Sequence, residues 1–387
     1  MLGGENIRIA VVGMGRIGLP LSLVYAKYGH KVVGIDIDTK RVSSIQHRER
    51  FLEPFVNEYL EAYGNHCSYY TNLGYIKGSD VVTIIVATPS LPNGLFDVSR
   101  IEEIVRDIRS LDRDILISIS SNINIGTCDK LHEKYGRIAY CPEFIAQGSI
   151  IRGFENPKFT IIGVYDNKDA RILHTLWSAI HKKPIHVVKP AEAEIIKLGL
   201  NVSYCMGITW SNIVGELCEI FNADSNKILD IMYNDWRNYK KGLGYMGPCF
   251  PRDTKCFGET CKEKSVESGF QFTRVLDYLN DYTKSRYLNK IREYGMAKIG
   301  FLGVSYKPNV PYVEASQPLE MASTLEKSGH RIFIYDPIAE HEAKKVLKSA
   351  TFCTTIEECV QLSDILFVGT ANYKDMAFDK PTINPWK

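Results

Sequence analysis

The chain opens with a short apolar run from Ile7 to Val12, a helical pattern reaching about Tyr28, and a second apolar run from Lys31 to Ile35. Similar runs recur at Asp80 to Thr88 (DVVTIIVAT), Asp114 to Ser118, Arg137 to Tyr140, Phe159 to Val164 and Ile185 to Val188, with a helical pattern over Asp97 to Ser110. Short continuous apolar segments alternating with amphipathic helices predict strands buried on both faces of a parallel, doubly wound sheet. The middle of the chain changes character. From Pro190 to about Phe221 a single long helix is predicted, its start marked by the proline and by acidic residues in the first turn. More helices follow to about Tyr294, interrupted by a glycine-rich loop at 242–248, with almost no strand signal.

Alternation then returns. KIGFLGV (298–304), RIFIYDP (331–337) and DILFVGT (364–370) echo IRIAVVGMG, KVVGIDID and DVVTIIVAT near the start. The expected fold is therefore α/β: two Rossmann-like doubly wound domains with parallel sheets, at 1–188 and 296–387, joined by a helical domain with a long central helix at 189–295. The last domain has GVSYKPN where the first has GMGRIG, so it lacks the glycine fingerprint. It still offers the carboxyl ends of its strands to a nucleotide. A final strand near the NPW stretch is expected to be absent or very short.

Composition narrows the function classes. A net charge of +2 over 387 residues gives no nucleic-acid footprint. No stretch approaches the length of apolar sequence that spans a bilayer, so no membrane segment is expected. The N-terminus runs directly into the first strand pattern, so no signal peptide is expected, and the 10 cysteines are scattered. They read as reduced thiols, and a cytoplasmic protein is expected.

Gly13, Gly15 and Gly18 form G-x-G-x-x-G directly after the first strand pattern, and Asp36 closes the second. The glycines permit a tight turn, close backbone approach to a pyrophosphate, and helix–strand packing. The following helix points its N-terminal N–H groups at phosphate. A carboxylate at Asp36 accepts both ribose hydroxyls of NAD and repels the 2′-phosphate of NADP, so NAD is the expected cofactor. Arg41 stands either near the adenosine end or as a solvated helix arginine.

Cys249 lies in GLGYMGPCFPRDTKCF, after the glycine-rich loop and just before Arg252 and Asp253. A neighbouring cation and a helix N-terminus would favour its thiolate for nucleophilic work; the plain alternative is a buried inert cysteine. The spacing to Cys256 and Cys261 does not match a zinc site, so no metal is expected. Lys197 and Asn201 share one face of the long helix. A lysine there either stabilises a developing oxyanion or snorkels to the surface. Glu143, just past a strand, is a candidate base, or else a surface loop acid.

Taken in order, GMGRIGLPLS, VATP (86–89), SSNINIGT (120–127), CPEFIAQGSIIRGFENPKFTIIG (141–163), AEAEIIKLGLN, GYMGPCFPRD and GFLGVSYKPN with Ser316 and YDP resemble the UDP-glucose/GDP-mannose dehydrogenase family from Ile7 to about Asp375. The resemblance implies NAD contacts at Gly13, Gly15, Arg16, Ile17, Gly18, Asp36, Arg41, Thr88 and Pro89. It implies a two-step oxidation of a sugar CH2OH to a carboxylate through a thiohemiacetal and a thioester on Cys249. Lys197 and Asn201 would stabilise charge on the C6 oxygen, Asp253 would position water or Lys197, Glu143 would act as base, and Asn122 would help hold the water. Phe144, Ile145, Gln147, Tyr245 and Gly247 would meet the UDP-sugar, Lys307 would reach it from the last domain, and Arg237 would extend to a neighbouring subunit in a homodimer.

Several positions depart from the family pattern. Asn122 stands for a threonine, Gln147 for a glutamate, Arg252 for a lysine, Met246 for a glycine and Pro248 for a serine. Glu314 and Ala315 replace Arg-Glu, and the loop between Arg237 and Cys249 is short. These changes bear on substrate and water placement more than on reaction type. UDP-glucose 6-dehydrogenase activity is the leading expectation. Oxidation of another nucleotide sugar (UDP-N-acetylhexosamine or GDP-mannose), a β-hydroxyacid dehydrogenase, and a non-catalytic nucleotide-sugar-binding member are the alternatives.

Overall fold

The first strand shows why a sheet forms here: in RIAVV every residue after Arg8 is buried. Its side chains alternate between two cores, Ile9 and Val11 entering one and Ala10 and Val12 the other. Burial on both faces at once is the condition for a doubly wound sheet. The computed structural model describes residues 7–233 and 239–387. It divides into two compact units, one up to Leu198 and one from Gly199 onward.

The first unit holds β1 (Arg8–Val12), β2 (Lys31–Ile35), β3 (Cys67–Tyr70), β4 (Val81–Ile84), β5 (Leu116–Ile119), β6 (Ile138–Tyr140), β7 (Thr160–Gly163) and β8 (Ile185–Val188). They form one sheet in the order β3-β2-β1-β4-β5-β6-β7-β8. The order reverses between β1 and β4, the switch point where α/β sheets bind ligands. The first six strands run parallel, whereas β7 meets β6 antiparallel at Tyr140 and Gly163, and β8 follows β7. The apolar run from Asp80 to Thr88 is a strand only to Ile84. Beyond it Ser121 Oγ accepts the Val86 N–H at 2.8 Å and donates to the Val86 carbonyl at 2.9 Å, so the chain leaves the ladder while staying half-buried.

The long helix runs from Pro190 to Phe221 as its pattern predicts. Helices Ser225–Met232, Phe250–Glu263 and Glu267–Arg292 follow it in the second unit. Then come β9 (Lys298–Leu302), β10 (Arg331–Tyr335), β11 (Thr351–Phe352), β12 (Ile365–Val368) and β13 (Thr382–Ile383), all parallel in the order β11-β10-β9-β12-β13. The final strand is indeed only two residues long. Both sheets turn off their first strand in the same way: Gly13 N–H donates to Ile35 O at 2.7 Å, and Gly303 N–H to Tyr335 O at 2.9 Å.

Candidate active site

The glycine loop after β1 has the shape a dinucleotide needs. Gly13 has φ of +102°, and a Cβ there would stand 2.4 Å from the Ile85 carbonyl oxygen. A Cβ on Gly18 would stand 1.8 Å from the Gly13 oxygen, so only glycine lets the helix Gly18–Lys27 start this close to the turn. At Gly15 nothing lies within 4 Å of an added Cβ, which leaves open space over the backbone where a pyrophosphate would rest. Arg16 is exposed beside it and Ile17 is half-buried. The Asp36 carboxylate accepts the Met14 N–H at 2.7 Å through Oδ2 and the Asp38 N–H at 2.9 Å through Oδ1. These bonds aim the carboxylate and leave acceptor capacity for ribose hydroxyls. Asp38 caps the helix Thr39–Gln46 by accepting the Lys40 and Arg41 N–H groups, which places Arg41 in the first turn of that helix. The residues present therefore fit NAD.

Three neighbouring strand ends carry the next groups. After β4, Thr88 is buried and donates its hydroxyl to the Asn122 carbonyl at 2.8 Å, with Pro89 exposed beside it. Asn122 is half-buried in the loop after β5. Glu143 follows β6. The residue as a whole is partly exposed, but its Oε1 is buried and has no hydrogen-bond partner among the described residues. Burial pushes the Glu143 carboxyl up to about 8, against the opposing pull of the Lys197 charge and a hydrogen bond with Ser120. That is the environment of a proton-transfer group rather than of a surface acid. Lys197 is 7% exposed, so it does not snorkel. Its Nζ donates to the Glu143 main-chain oxygen at 2.6 Å and sits 5.2 Å from the centre of the Phe144 ring. Phe144, Ile145 and Gln147 are all half-buried in the same loop.

In the second unit the nucleophile candidate has its own support. Cys249 is exposed and forms the N-cap of the helix Phe250–Glu263. A helix N-terminus stabilises negative charge developing at that position. One turn into that helix, Asp253 is fully buried and accepts a 2.6 Å hydrogen bond from Asn201 Nδ2. Asp253 therefore orients Asn201 on the long helix. Gly247 has φ of +89°, and a Cβ on it would strike the Tyr306 ring at 2.7 Å. Lys307 is half-buried in the loop after β9, its ammonium 5.8 Å from the centre of the Tyr306 ring.

Tyr245, expected at the sugar, turns its side chain inward. It is 2% exposed, packs with Val202, Cys205 and Leu276, and donates its hydroxyl to Asp277 at 2.6 Å. Its side chain braces the loop from within. Arg237 lies outside the described residues.

Several supporting groups are invisible in the sequence because their partners are remote. Glu53 is buried and accepts the Gly148 and Ile150 N–H groups, both at 2.9 Å, fixing the far end of the Glu143 loop. Glu194, one turn before Lys197, accepts N–H groups of Gly126 and Cys128 at the start of the helix Thr127–Tyr135. Asp336 repeats the Asp36 device in the second sheet: its Oδ2 accepts the Val304 and Ser305 N–H groups at 2.8 and 3.0 Å. The repeated Tyr-Asp and Ile-Asp strand ends were the available signal for that pairing.

Comparison with known proteins matches this arrangement. The UDP-glucose/GDP-mannose dehydrogenase family is matched in three parts: its NAD binding domain over residues 7–181, its central domain over 191–282 and its UDP binding domain over 300–384. The chain is 28% identical to the UDP-glucose 6-dehydrogenase YwqF of Bacillus subtilis, over 94% of this chain and 87% of that protein. It is 24% identical to a GDP-mannose 6-dehydrogenase of Pseudomonas putida, over 97% and 94% respectively. The solved UDP-glucose dehydrogenase of Pyrobaculum islandicum is 26% identical and superposes with a TM-score of 0.92, covering 100% of this chain and 96% of that one. A glycine cradle with the Asp36 carboxylate beside it in the first sheet, and the same strand-end device repeated in the second, thus belong to a chain that is a member of the UDP-glucose/GDP-mannose dehydrogenase family, an NAD-dependent nucleotide-sugar dehydrogenase.

Proposed function

We propose that this chain oxidises C6 of UDP-glucose from alcohol to carboxylate, giving UDP-glucuronate, through a covalent intermediate on Cys249. The observation that carries the reading is an exposed thiol at a helix N-terminus, one turn from a buried Asp253 that is bonded to Asn201. Relatives named UDP-glucose 6-dehydrogenase and UDP-glucose dehydrogenase support the sugar.

When bound, NAD supplies the acceptor for the two hydrides that this four-electron oxidation releases. Gly13, Gly15, Arg16, Ile17, Gly18, Asp36, Arg41, Thr88 and Pro89 hold it. The chain's own residues do the rest. The Cys249 thiolate adds to the C6 aldehyde, and the new C–S bond retains the reactive carbonyl on the protein. Lys197 and Asn201 donate to the C6 oxygen while it carries negative charge. After the second oxidation the C6–S bond is a thioester. Glu143, as carboxylate, takes a proton from water as the water attacks that carbonyl, with Asn122 helping to hold the water. The C–S bond then breaks and the thiolate is restored. Phe144, Ile145, Gln147, Gly247, Lys307 and Arg237 are assigned to the UDP-sugar.

The test is stoichiometric. Purified protein with NAD and UDP-glucose is expected to release two NADH per sugar consumed, with UDP-N-acetylhexosamines and GDP-mannose turned over far more slowly. One NADH per sugar would remove the acid-forming half. Faster turnover of another nucleotide sugar would reassign the substrate, and tight binding without NADH would leave a binding protein.

The protein is also proposed to act as a cytoplasmic homodimer. Met206, Trp210, Leu217 and Ile220 form an exposed apolar stripe on the long helix, with exposures of 47%, 48%, 52% and 76%. Sedimentation equilibrium is expected to give twice the 43.8 kDa chain mass; a single-chain mass at micromolar concentration would reject the dimer.

A further inference from the structure

The loop leading to Cys249 has no regular structure from Lys241 to Met246, yet most of it is buried. Its backbone groups must therefore be paired by side chains. Asn212, on the long helix, accepts the Gly242 N–H at 3.0 Å and donates to the Leu243 carbonyl at 3.2 Å. Asn280, on the helix Glu267–Arg292, donates to the Tyr245 carbonyl at 3.1 Å. The third contributor is Gln317, at the start of the helix Gln317–Lys327 and 3% exposed. Its Oε1 accepts the Gly244 N–H at 2.9 Å, its own N–H rests on Met246 Sδ at 3.1 Å, and its Nε2 donates to the Asn280 main-chain oxygen at 3.2 Å.

Gln317 thus holds the loop at two points and, through Nε2 to the Asn280 Oδ1 at 3.3 Å, braces one of the two other side chains that hold it. The glycine opposite is required for this: a Cβ on Gly244 would stand 2.0 Å from Asn280 Oδ1 and 2.5 Å from Gln317 Nε2. The preceding residue, Ser316, donates its hydroxyl to the Val304 carbonyl at 2.7 Å. One dipeptide therefore ties the loop after β9, within the UDP binding domain, to the loop that ends on the reactive thiol.

We infer that Gln317 is a positioning residue for the oxidation: its carboxamide fixes the backbone at Gly244 and so sets where the chain delivers Cys249. The inference rests on Cys249 being the nucleophile. A displacement of about 1 Å at a reacting group costs on the order of 100-fold in rate. Gln317→Leu, which loses the acceptor at similar volume, is expected to lower kcat at least tenfold. KM for NAD should stay within about twofold, since the NAD-binding residues lie elsewhere in the chain. Gln317→Glu keeps the acceptor for Gly244, so its kcat is expected between those of the leucine variant and the unaltered protein. It also serves if the leucine variant fails to fold.

An independent readout is the rate at which iodoacetamide alkylates Cys249 with neither NAD nor sugar nucleotide present. It is expected to shift at least threefold in the leucine variant and less in the glutamate variant. Unaltered kcat and alkylation rates in folded variants would overturn the inference. So would parallel losses in kcat, both KM values and melting temperature, which would mark a merely structural role. Cys249→Ser is assayed alongside. Undiminished acid formation there sinks the nucleophile reading, while the alkylation rates still decide whether Gln317 holds the loop.

Discussion

Cys249→Ser is expected to lower the rate of acid formation by about 1,000-fold or more, a loss of roughly 4 kcal/mol in transition-state stabilisation. A serine hydroxyl at the same N-cap is a far weaker nucleophile at neutral pH than a thiolate. The substitution is nearly isosteric at an exposed position, so folding should be unaffected. The informative measurement is the product, followed by chromatography of the sugar nucleotide beside the NADH yield. Undiminished release of the acid would reject Cys249 as the nucleophile, and unchanged NADH turnover without acid would point to the β-hydroxyacid dehydrogenase type of chemistry, a single hydride transfer that needs no thiol.

Glu143→Gln is expected to leave thioester formation largely intact and to slow its hydrolysis by 100- to 10,000-fold, the usual range for a lost general base. The variant should give a rapid burst of NADH and then stall. Intact-protein mass spectrometry should show sugar nucleotide attached. In the unaltered protein, kcat should rise with pH and level off above about 8, where the carboxyl that burial has pushed up becomes the carboxylate the reaction needs. Below that point the rate should fall about tenfold per pH unit. Steady turnover by the glutamine variant, or a flat profile across pH 7–9, would exclude Glu143 as the base.

The same shift has a cost in stability, and its sign is opposite to that of a salt-bridged acid. A carboxyl whose folded value is raised contributes fully below its unfolded value, near 4.5, and loses that contribution as pH rises through about 8. The pH range in which Glu143 becomes useful is thus the range in which it weakens the fold.

Much of this was legible in the sequence wherever local chemistry decides structure. The long helix was bounded by Pro190 and by Phe221, after which Asn222 turns left-handed with φ of 50°. The glycine spacing and Asp36 located the cofactor loop because Gly13 and Gly18 answer local steric demands and Gly15 leaves the backbone between them uncovered. What escaped depends on remote partners. β3 (CSYY) is a polar edge strand, defined only by pairing with β2. Apolarity could not show that the strand beginning at Val81 ends at Ile84, since the loop beyond it is also tucked in. Nor could it show the reversal at β7, because an apolar run carries no sign of direction. Tyr245 was assigned to the sugar by resemblance, and its bond to Asp277 on the helix Glu267–Arg292 could not be read from its neighbours in sequence. The burial of the Glu143 carboxyl, on which the proposed mechanism turns, is likewise a property of packing and not of the residues beside it.

The carboxylate at the end of the second strand of each sheet, Asp36 in one and Asp336 in the other, gathers the N–H groups of the loop that leaves its neighbour. One structural solution is thus used twice, once beside an open glycine shelf and once without it. A substitution at the first copy would bear on the coenzyme and one at the second on the nucleotide that the substrate carries, so the two specificities would be adjustable by separate changes.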